Sequence, residues 1–253
     1  MTGTCTIVIP TYNEEKNIAN MARAIREEYP EFKVLFMDDN STDRSGEEVA
    51  ALNDPMVTFH VRDPDARGLA ASVLEGFCIA DTDYAMCMDC DFQHPLSALG
   101  PIVEQMDAGA ELCVGRRNSR MSMGVKRALG SELVEAYCKI FFYVNRKQTT
   151  KDMMSGLFAL RCDVFRPIIR ENWDDMELRG WKVLMDLMKH AGRRIDVRYV
   201  NYDFGTRAEG ESHINPKVTV MTFHQLWGFG RFTAKVVARL YGVDYREMYP
   251  DEK

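Results

Sequence analysis

Residues 5–25 read CTIVIPTYNEEKNIANMARAI, and the reading of this stretch decides the fold. Cys5 to Ile9 is a short apolar, β-branched run closed by Pro10, the pattern of a strand buried on both faces. Asn13 is placed to cap a helix with Glu14 and Glu15 in its first turn, and Ile18, Met21, Ala22 and Ile25 recur at helical spacing. The alternation then repeats. Residues 33–37 read as a second strand closing on Asp38-Asp39-Asn40-Ser41, residues 43–52 as a helix and residues 57–61 as a third strand. Residues 68–80 read as a helix with Leu69, Val73, Leu74 and Phe77 on one side, and residues 84–88 as a fourth strand ending at Asp89. A short helix after Pro95 precedes a fifth strand, 111–114, and Gly115. Strands alternating with helices over short connections predict an α/β fold, a mostly parallel central sheet covered by helices.

The chain has 253 residues, 46% of them apolar and 28% charged, enough to bury a sizeable core and too hydrophobic for a disordered chain. No apolar run reaches the length of a spanning helix, and the N-terminus enters a strand-like run without the regions of a secretory signal. The seven cysteines are scattered and odd in number, which predicts reduced core residues and a cytoplasmic protein. Cys87 and Cys90 form a C-x-x-C without a second ligand pair, so they read as core as well. The net charge of −6 argues against bulk nucleic-acid binding. That charge is unevenly spread: residues 116–151 carry a net +7, leaving −13 on the rest.

In a parallel sheet, ligands bind beyond the carboxyl ends of the strands. Here those ends carry Tyr12, Asn13 and Glu14, then Asp38 and Asp39, then Asp89 and Asp91, then Arg116 and Arg117. There is no G-x-G-x-x-G after the first strand and no G-x-x-x-x-G-K-[ST], which excludes the usual dinucleotide and P-loop devices. Asp89-Cys90-Asp91 offers another way to handle phosphate. Two carboxylates at i and i+2 can share Mg2+ or Mn2+, a hard cation that bridges phosphate oxygens and offsets charge on a departing diphosphate.

Together these residues resemble family 2 glycosyltransferases of the GT-A fold, and among them the dolichol-phosphate and polyprenyl-phosphate mannose synthases. The segments that carry the likeness are IVIPTYNEEKNI (7–18), MDDNSTD (37–43), GLAASVLEGF (68–77), MDCDFQHP (88–95), VGRRNS (114–119), SGLFALR (155–161), GWKVLMDLM (180–188) and FGTRAEGES (204–212). The first two are shared by many family 2 enzymes. The combination of DFQHP, SGLFALR and FGTRAEGES is more specific and points to sugar transfer onto a polyprenyl phosphate.

The resemblance implies roles for single positions. Pro10, Tyr12, Glu14, Met37 and Asp39 would line the nucleoside pocket. Asp89, Cys90, Asp91 and Gln93 would surround the metal diphosphate, with Asp91 and Gln93 the direct metal ligands. Arg207, Ser212 and His213 lie on a loop that Gly205 and Gly210 would let close over the donor, Arg207 gripping its diphosphate. Arg117 and Arg127, with Ser212, would hold the lipid phosphate. Asp89, Asp91, Arg117, Arg127 and Arg207 form the implied catalytic set.

Four positions depart from the family's pattern. Ser41-Thr42-Asp43 stands where Ser-Pro-Asp is usual, Cys90 replaces Ala, and His213 replaces Lys. Asp152-Met153-Met154-Ser155 replaces Asp-x-Thr/Val-Ser.

A phosphate monoester, with a second pKa of about 6, is largely dianionic at neutral pH and needs no general base, whereas a hydroxyl acceptor does. The only base candidates, Asp175 and Glu177, lie in an acidic stretch that reads as a solvated helix end. The reaction that the resemblance implies, and that the lack of a base accords with, is an inverting, single in-line displacement that moves mannose from GDP-mannose to dolichyl or polyprenyl phosphate. A UDP-hexose or UDP-N-acetylhexosamine donor is the nearest alternative. A polysaccharide-extending enzyme would need a base and a Q-x-x-R-W element, and a sugar nucleotidyltransferase a Gly-rich N-terminal loop. A non-catalytic membrane-peripheral binding protein is the alternative of a different class.

Residues 119–147 and 216–253 combine apolar residues with Lys and Arg and read as interfacial amphipathic helices. The expected organisation is a catalytic domain, 1–215, followed by C-terminal interfacial helices, 216–253. The expected location is peripheral, on the cytoplasmic face of a membrane, with room for a membrane-anchoring partner subunit and no role for nucleic acid.

Overall fold

A computed structural model describes residues 3–118, 125–205, 216–226 and 228–250, with the side chains of 125–131 excepted. Its centre is one seven-stranded sheet in the order β3-β2-β1-β4-β6-β5-β7. The strands are β1 (Cys5–Thr11), β2 (Lys33–Asp38), β3 (Val57–Val61), β4 (Tyr84–Cys87), β5 (Leu112–Arg117), β6 (Phe158–Arg161) and β7 (Val197–Tyr202). Every pairing is parallel except those of β6, which runs antiparallel between β4 and β5 through Met86↔Ala159 and Cys113↔Ala159. The expected mostly parallel α/β sheet is thus present. β6 and β7 lie beyond the five strands that periodicity delineates.

Strand alternation distributes β1 to the two faces. Cys5, Ile7 and Ile9 pack into a core layer with Ile18, Met21, Ala22 and Ile25 of α1 (Ile18–Glu28) and Leu99, Ile102 and Val103 of α4 (Leu99–Asp107). Val8 points the other way, into a layer with Val73, Leu74 and Phe77 of α3 (Leu69–Ile79), Phe165 of α6 (Cys162–Glu171) and Leu184 of α7 (Val183–His190). Leu69 departs from its expected side. It opens α3 and remains exposed, because the buried stripe runs through Ala70, Val73, Leu74 and Phe77.

The first helix also begins later than its acidic signal suggests. Asn13 does not cap it. Asn13 takes a left-handed backbone, φ +55°, and α1 starts at Ile18 after a turn closed on the Glu14 carbonyl. The helix expected over 43–52 is shorter, α2 (Ser45–Ala50), because the Asp43 carboxylate caps Ser45 and so sits outside it.

α5 (Val125–Val144) follows β5. α8 (Pro216–His224), α9 (Phe229–Leu240) and α10 (Tyr245–Met248) close the described chain. Val220, Phe223, Ala234, Ala238, Tyr245 and Met248 form a small third cluster that packs on Val134 and Tyr137 of α5. Polar contacts tie it to the rest. Glu177 accepts from His224 Nδ1 at 2.6 Å and from the Tyr249 hydroxyl at 2.9 Å. Lys189, fully buried, pairs with Asp186 at 2.8 Å and donates to the Gln225 carbonyl at 2.9 Å. No described helix is long and apolar enough to cross a membrane.

Removing one member of a buried ion pair leaves an uncompensated charge. Asp186→Ala should therefore cost about 3–5 kcal/mol in urea unfolding, while the double change Asp186→Leu/Lys189→Met should recover most of it. Equal losses in both variants would mean that the helices are held by packing alone.

Candidate active site

The loops after β1 and β2 are zipped together at the carboxyl rim of the sheet. Buried Asp38 accepts from the backbone and hydroxyl of Ser41, whose Oγ in turn accepts from Asn13 N at 2.8 Å. The Asn13 side chain accepts from Thr42 N at 2.8 Å, and Asp43 accepts from Glu15 N at 3.0 Å. The Thr42 amide is thus in use, and a proline there would supply no N–H.

Asp39, one residue on, is held rigidly. One oxygen meets the Arg62 guanidinium and the other accepts from Gly68 N at 2.8 Å. Arg62 is sealed from solvent and also reaches Glu75 at 2.9 Å and the Ala66 carbonyl at 2.8 Å. Its carboxylate partners balance its charge inside the protein. Gly68 has φ +156°, and any Cβ there would drive into the Leu178 carbonyl, so only glycine brings this amide to Asp39. Tyr12 is half exposed beside Asp39's loop, with the Arg67 guanidinium 5.8 Å from its ring centroid. Pro10 and Glu14 are half-buried on the same rim. Met37 is fully buried beneath it, in the layer that holds Val8 and Leu74.

The turn after β4 carries the two acids. The Asp89 side chain is 45% exposed, whereas Cys90 and Asp91 are buried. Asp91 Oδ1 accepts from Gln93 N at 3.0 Å across Phe92, which is held at φ +59°, a region costly for an aromatic residue. Gln93 is locked to Gly205, whose amide donates to the Gln93 carbonyl at 2.8 Å. His94 is buried behind them. Its Nδ1 lies 2.9 Å from the Tyr202 hydroxyl and its Nε2 3.4 Å from Asp89 Oδ2. The antiparallel β6 enters past Gly156, where a Cβ would stand 3.3 Å from Asp89 Oδ2 and 3.4 Å from His94 Nε2.

Arg117, at the end of β5, supplies the positive side. Its Nε and Nη2 donate to the two oxygens of buried Asp152 at 3.1 Å each, the fork geometry of a bidentate pair. Asp152 Oδ1 also accepts from Met154 N at 3.1 Å. A cavity of about 350 Å³ opens here, lined by the cations Arg116, Arg117, Lys139 and Lys151 and by the acids Glu132, Glu135 and Asp152, with Lys139 paired to Glu135 at 2.7 Å. Behind it lies Lys182, buried, its Nζ 3.2 Å from the Met154 carbonyl and 3.7 Å from the Trp181 ring centroid. Burial, with the Arg117 charge nearby, pushes the Lys182 ammonium down to about 7.

The structure brings Asp39, Asp89, Asp91 and Gln93 to one rim and places Arg117 on the same carboxyl edge of the sheet. The Arg127 side chain, Arg207, Ser212 and His213 lie outside the described residues. Cys87 and Cys90 are unpaired, and burial holds both thiols well above their ordinary range, as expected of core cysteines. Glu177 corrects an expectation. It is not on a solvated helix end but buried, accepting from His224 and Tyr249. Among the described residues no three His, Cys, Asp or Glu side chains converge to hold a metal by themselves. Arg62, His94, Asp152 and Lys182 were not singled out by sequence reasoning for the roles found here. The segments DFQHP and GWKVLMDLM contain His94 and Lys182, but no spacing marks a histidine or lysine that the tertiary fold buries.

The sequence matches the profile described as glycosyl transferase family 2 over residues 6–169. It is 29% identical over 239 residues to a dolichol-phosphate mannosyltransferase of Saccharomyces cerevisiae, covering 87% of this chain and 84% of that protein. It is 32% identical over 194 residues to a polyprenol monophosphomannose synthase of Mycolicibacterium smegmatis, covering 73% and 71%. With a dolichol-phosphate mannosyltransferase of Pyrococcus furiosus it shares 27% identity over 215 residues, 83% of this chain but only 59% of that longer protein. Among solved structures, glucosyl-3-phosphoglycerate synthase from Mycobacterium tuberculosis, crystallised with Mn2+, UDP-glucose and glycerol 3-phosphate, superposes with a TM-score of 0.61 at 17% identity, over 96% of this chain and 81% of that one. That likeness is one of fold.

The Gly68 contact gives a direct check on the Asp39 anchor. Gly68→Ala should lower stability by about 1–3 kcal/mol in chemical denaturation, from the clash and the strained φ. A wild-type unfolding curve would mean that the Leu178 segment moves aside without cost.

Proposed function

Because the chain belongs to glycosyl transferase family 2, we propose that it moves a mannosyl residue from GDP-mannose to dolichyl or polyprenyl phosphate, giving a polyprenyl-phosphate mannose. The relatives named for polyprenyl- and dolichyl-phosphate mannosyl transfer support this acceptor and sugar. Pro10, Tyr12, Glu14 and Asp39 border the nucleoside, with Met37 beneath them. Asp39, fixed by Arg62 and Gly68, would accept from the nucleoside through the lone pairs its two oxygens have left.

The donor set around the diphosphate is all oxygen, two carboxylates and the Gln93 amide, which fits a hard divalent cation better than a soft one. Buried Asp91 and Gln93 would hold Mg2+ or Mn2+, with Asp89 beside them. When bound, such an ion offsets the charge that grows on the departing diphosphate. Arg207, Ser212 and His213 are assigned to the loop that closes over donor and acceptor.

The observation that carries the reading is the cavity at Arg117, where Arg116, Arg117, Lys139 and Lys151 outnumber Glu132, Glu135 and Asp152, on the same rim as an acidic turn. It suits an acceptor that is itself an anion. Arg117 still has Nη1 to offer while Asp152 orients it, and Arg127 is proposed as the second cation for the phosphate. A phosphate oxygen held there attacks C1 in line with the leaving nucleoside diphosphate and inverts the anomeric carbon. Glu177, one of the two carboxylates weighed as base for a hydroxyl acceptor, is buried and engaged by His224 and Tyr249, which is in keeping with an acceptor that needs no base.

The lipid is met at a membrane surface. α9 exposes Phe229, Phe232, Val236 and Leu240 together with Arg231, Lys235 and Arg239, and α5 exposes Leu133, Ile140, Tyr143 and Val144. Apolar side chains flanked by bases suit an anionic leaflet, and they support a peripheral location on the cytoplasmic side of the membrane, with or without a membrane-anchoring subunit.

Purified protein with Mg2+ or Mn2+ should move label from GDP-mannose, and not from UDP-glucose or UDP-N-acetylglucosamine, into a polyprenyl-phosphate extract. Asp91→Ala should lower that turnover by at least about a hundredfold. Label arriving from a UDP sugar would replace the donor, and undiminished Asp91→Ala turnover would remove the metal role. Phe229→Glu/Phe232→Glu should reduce co-sedimentation with anionic vesicles several-fold; unchanged binding would take α9 off the membrane.

A further inference from the structure

Lys182 has no role in the reading above, yet its placement is unusual. A lysine is almost never fully buried without a carboxylate in direct contact. Lys182 is buried, and its Nζ hydrogen bond is to a carbonyl, that of Met154, with the Trp181 ring on another side. Its backbone is pinned too, because the Gln225 side chain donates to the Lys182 carbonyl at 2.9 Å.

The residue Lys182 grips is the one Asp152 grips. Met154 N donates to Asp152 Oδ1, and Met154 O accepts from Lys182 Nζ. Asp152 in turn forks Arg117. A continuous chain of contacts therefore runs from Lys182 through Met154 and Asp152 to Arg117 and the cavity beside it.

Resting on the acceptor proposed above, we infer that Lys182 is a positioning residue for the phosphate: it holds the Met154–Asp152–Arg117 line in place and takes a proton from solvent water onto Nζ when a phosphate dianion docks against Arg117. The charges that bear on it among the described residues are Arg117 of β5, Asp152 of the segment before β6 and Asp89 after β4; the Cys138 thiol of α5 also faces it, held neutral by burial. Asp186 and Lys189, on the helix that Lys182 precedes, pair with each other instead. In the free protein burial and Arg117 favour the neutral amine, which still donates to Met154. A dianion brings two negative charges to Arg117 and tips Nζ to the ammonium.

The sign follows from linkage. With its titration near 7, the amine is mostly unprotonated at pH 8, where a phosphomonoester is already a full dianion and has no proton to release. Binding must then draw a proton in, and affinity for the dianion must fall as pH rises above 7, by up to about tenfold per unit.

Geranyl phosphate, a soluble isoprenyl phosphate, would be titrated into the full-length protein at pH 8 by calorimetry, in two buffers of different ionisation heat. The wild type should take up a large fraction of one proton. Lys182→Arg, permanently charged, should bind without uptake and with a KM for lipid phosphate that no longer climbs above pH 7. Lys182→Met should bind without uptake and on the order of tenfold more weakly, the effect of losing one charge near another in a partly dried site. Uptake that is missing in the wild type, or that persists in Lys182→Met, overturns the inference, as does a wild-type pH profile in both variants. If the wild type takes up the proton but transfers no sugar to any lipid phosphate, the proposed acceptor falls and the role of Lys182 stands.

Discussion

The rest of the site depends on the fork between Arg117 and Asp152. β5 ends in an arginine whose guanidinium would otherwise be half-buried and unpaired, and the segment entering β6 supplies the carboxylate that holds it. That contact joins the acidic half of the rim, from β1 to β4, to its basic continuation. It is possible only because β6 runs backwards between β4 and β5, which carries Asp152, Met154 and Gly156 between Asp89 on one side and Arg117 on the other. Gly156 is the narrow point, since a side chain there would push on Asp89 and His94. The antiparallel strand therefore sets the distance between the acids and the bases.

The same logic extends outward. Asp39 is held from behind by Arg62, Asp91 by the amide of Gln93, and Gln93 by Gly205. The Asp39 and Asp91 side chains thus have their direction set by a buried or backbone partner, which limits their reorganisation on ligand binding. The C-terminal helices are part of this scaffold. Gln225 reaches the Lys182 carbonyl and His224 and Tyr249 reach Glu177, which connects the exposed aromatic face of α9 to the segment behind Arg117. The exposed apolar face of α9 and the cavity at Arg117 are thereby built on one framework.

Where sequence reasoning succeeded, the cause was periodicity. Ile18, Met21, Ala22 and Ile25 share a buried face because a helix repeats every 3.6 residues, and Ile7, Val8 and Ile9 are all buried because a parallel strand is covered on both sides. Where it fell short, the cause was a long-range partner. Asn13 looks like a helix cap until the Thr42 amide claims its side chain. Leu69 looks like core until the helix is placed against the sheet. Glu177 sits in an acidic run that reads as solvated, yet a histidine and a tyrosine from the end of the chain bury it. β6 is only four residues long and β7 is half-covered, too little apolar pattern to mark either as a strand.

The sequence by itself determined the α/β class, the buried strands and amphipathic helices of the first half, and the acids and bases that end those strands. Those properties are local, set by side-chain spacing along a few turns or a single strand. Only the tertiary structure decided which of those charges face one another, which are neutralised from behind, and which lysines are buried. Burial and pairing of a charge depend on groups that are distant in the chain: 35 residues separate Arg117 from Asp152, and 28 separate Lys182 from Met154. No local pattern encodes such a pairing, because the free energy that fixes it, desolvation against Coulomb attraction, exists only once the chain has brought both groups out of water.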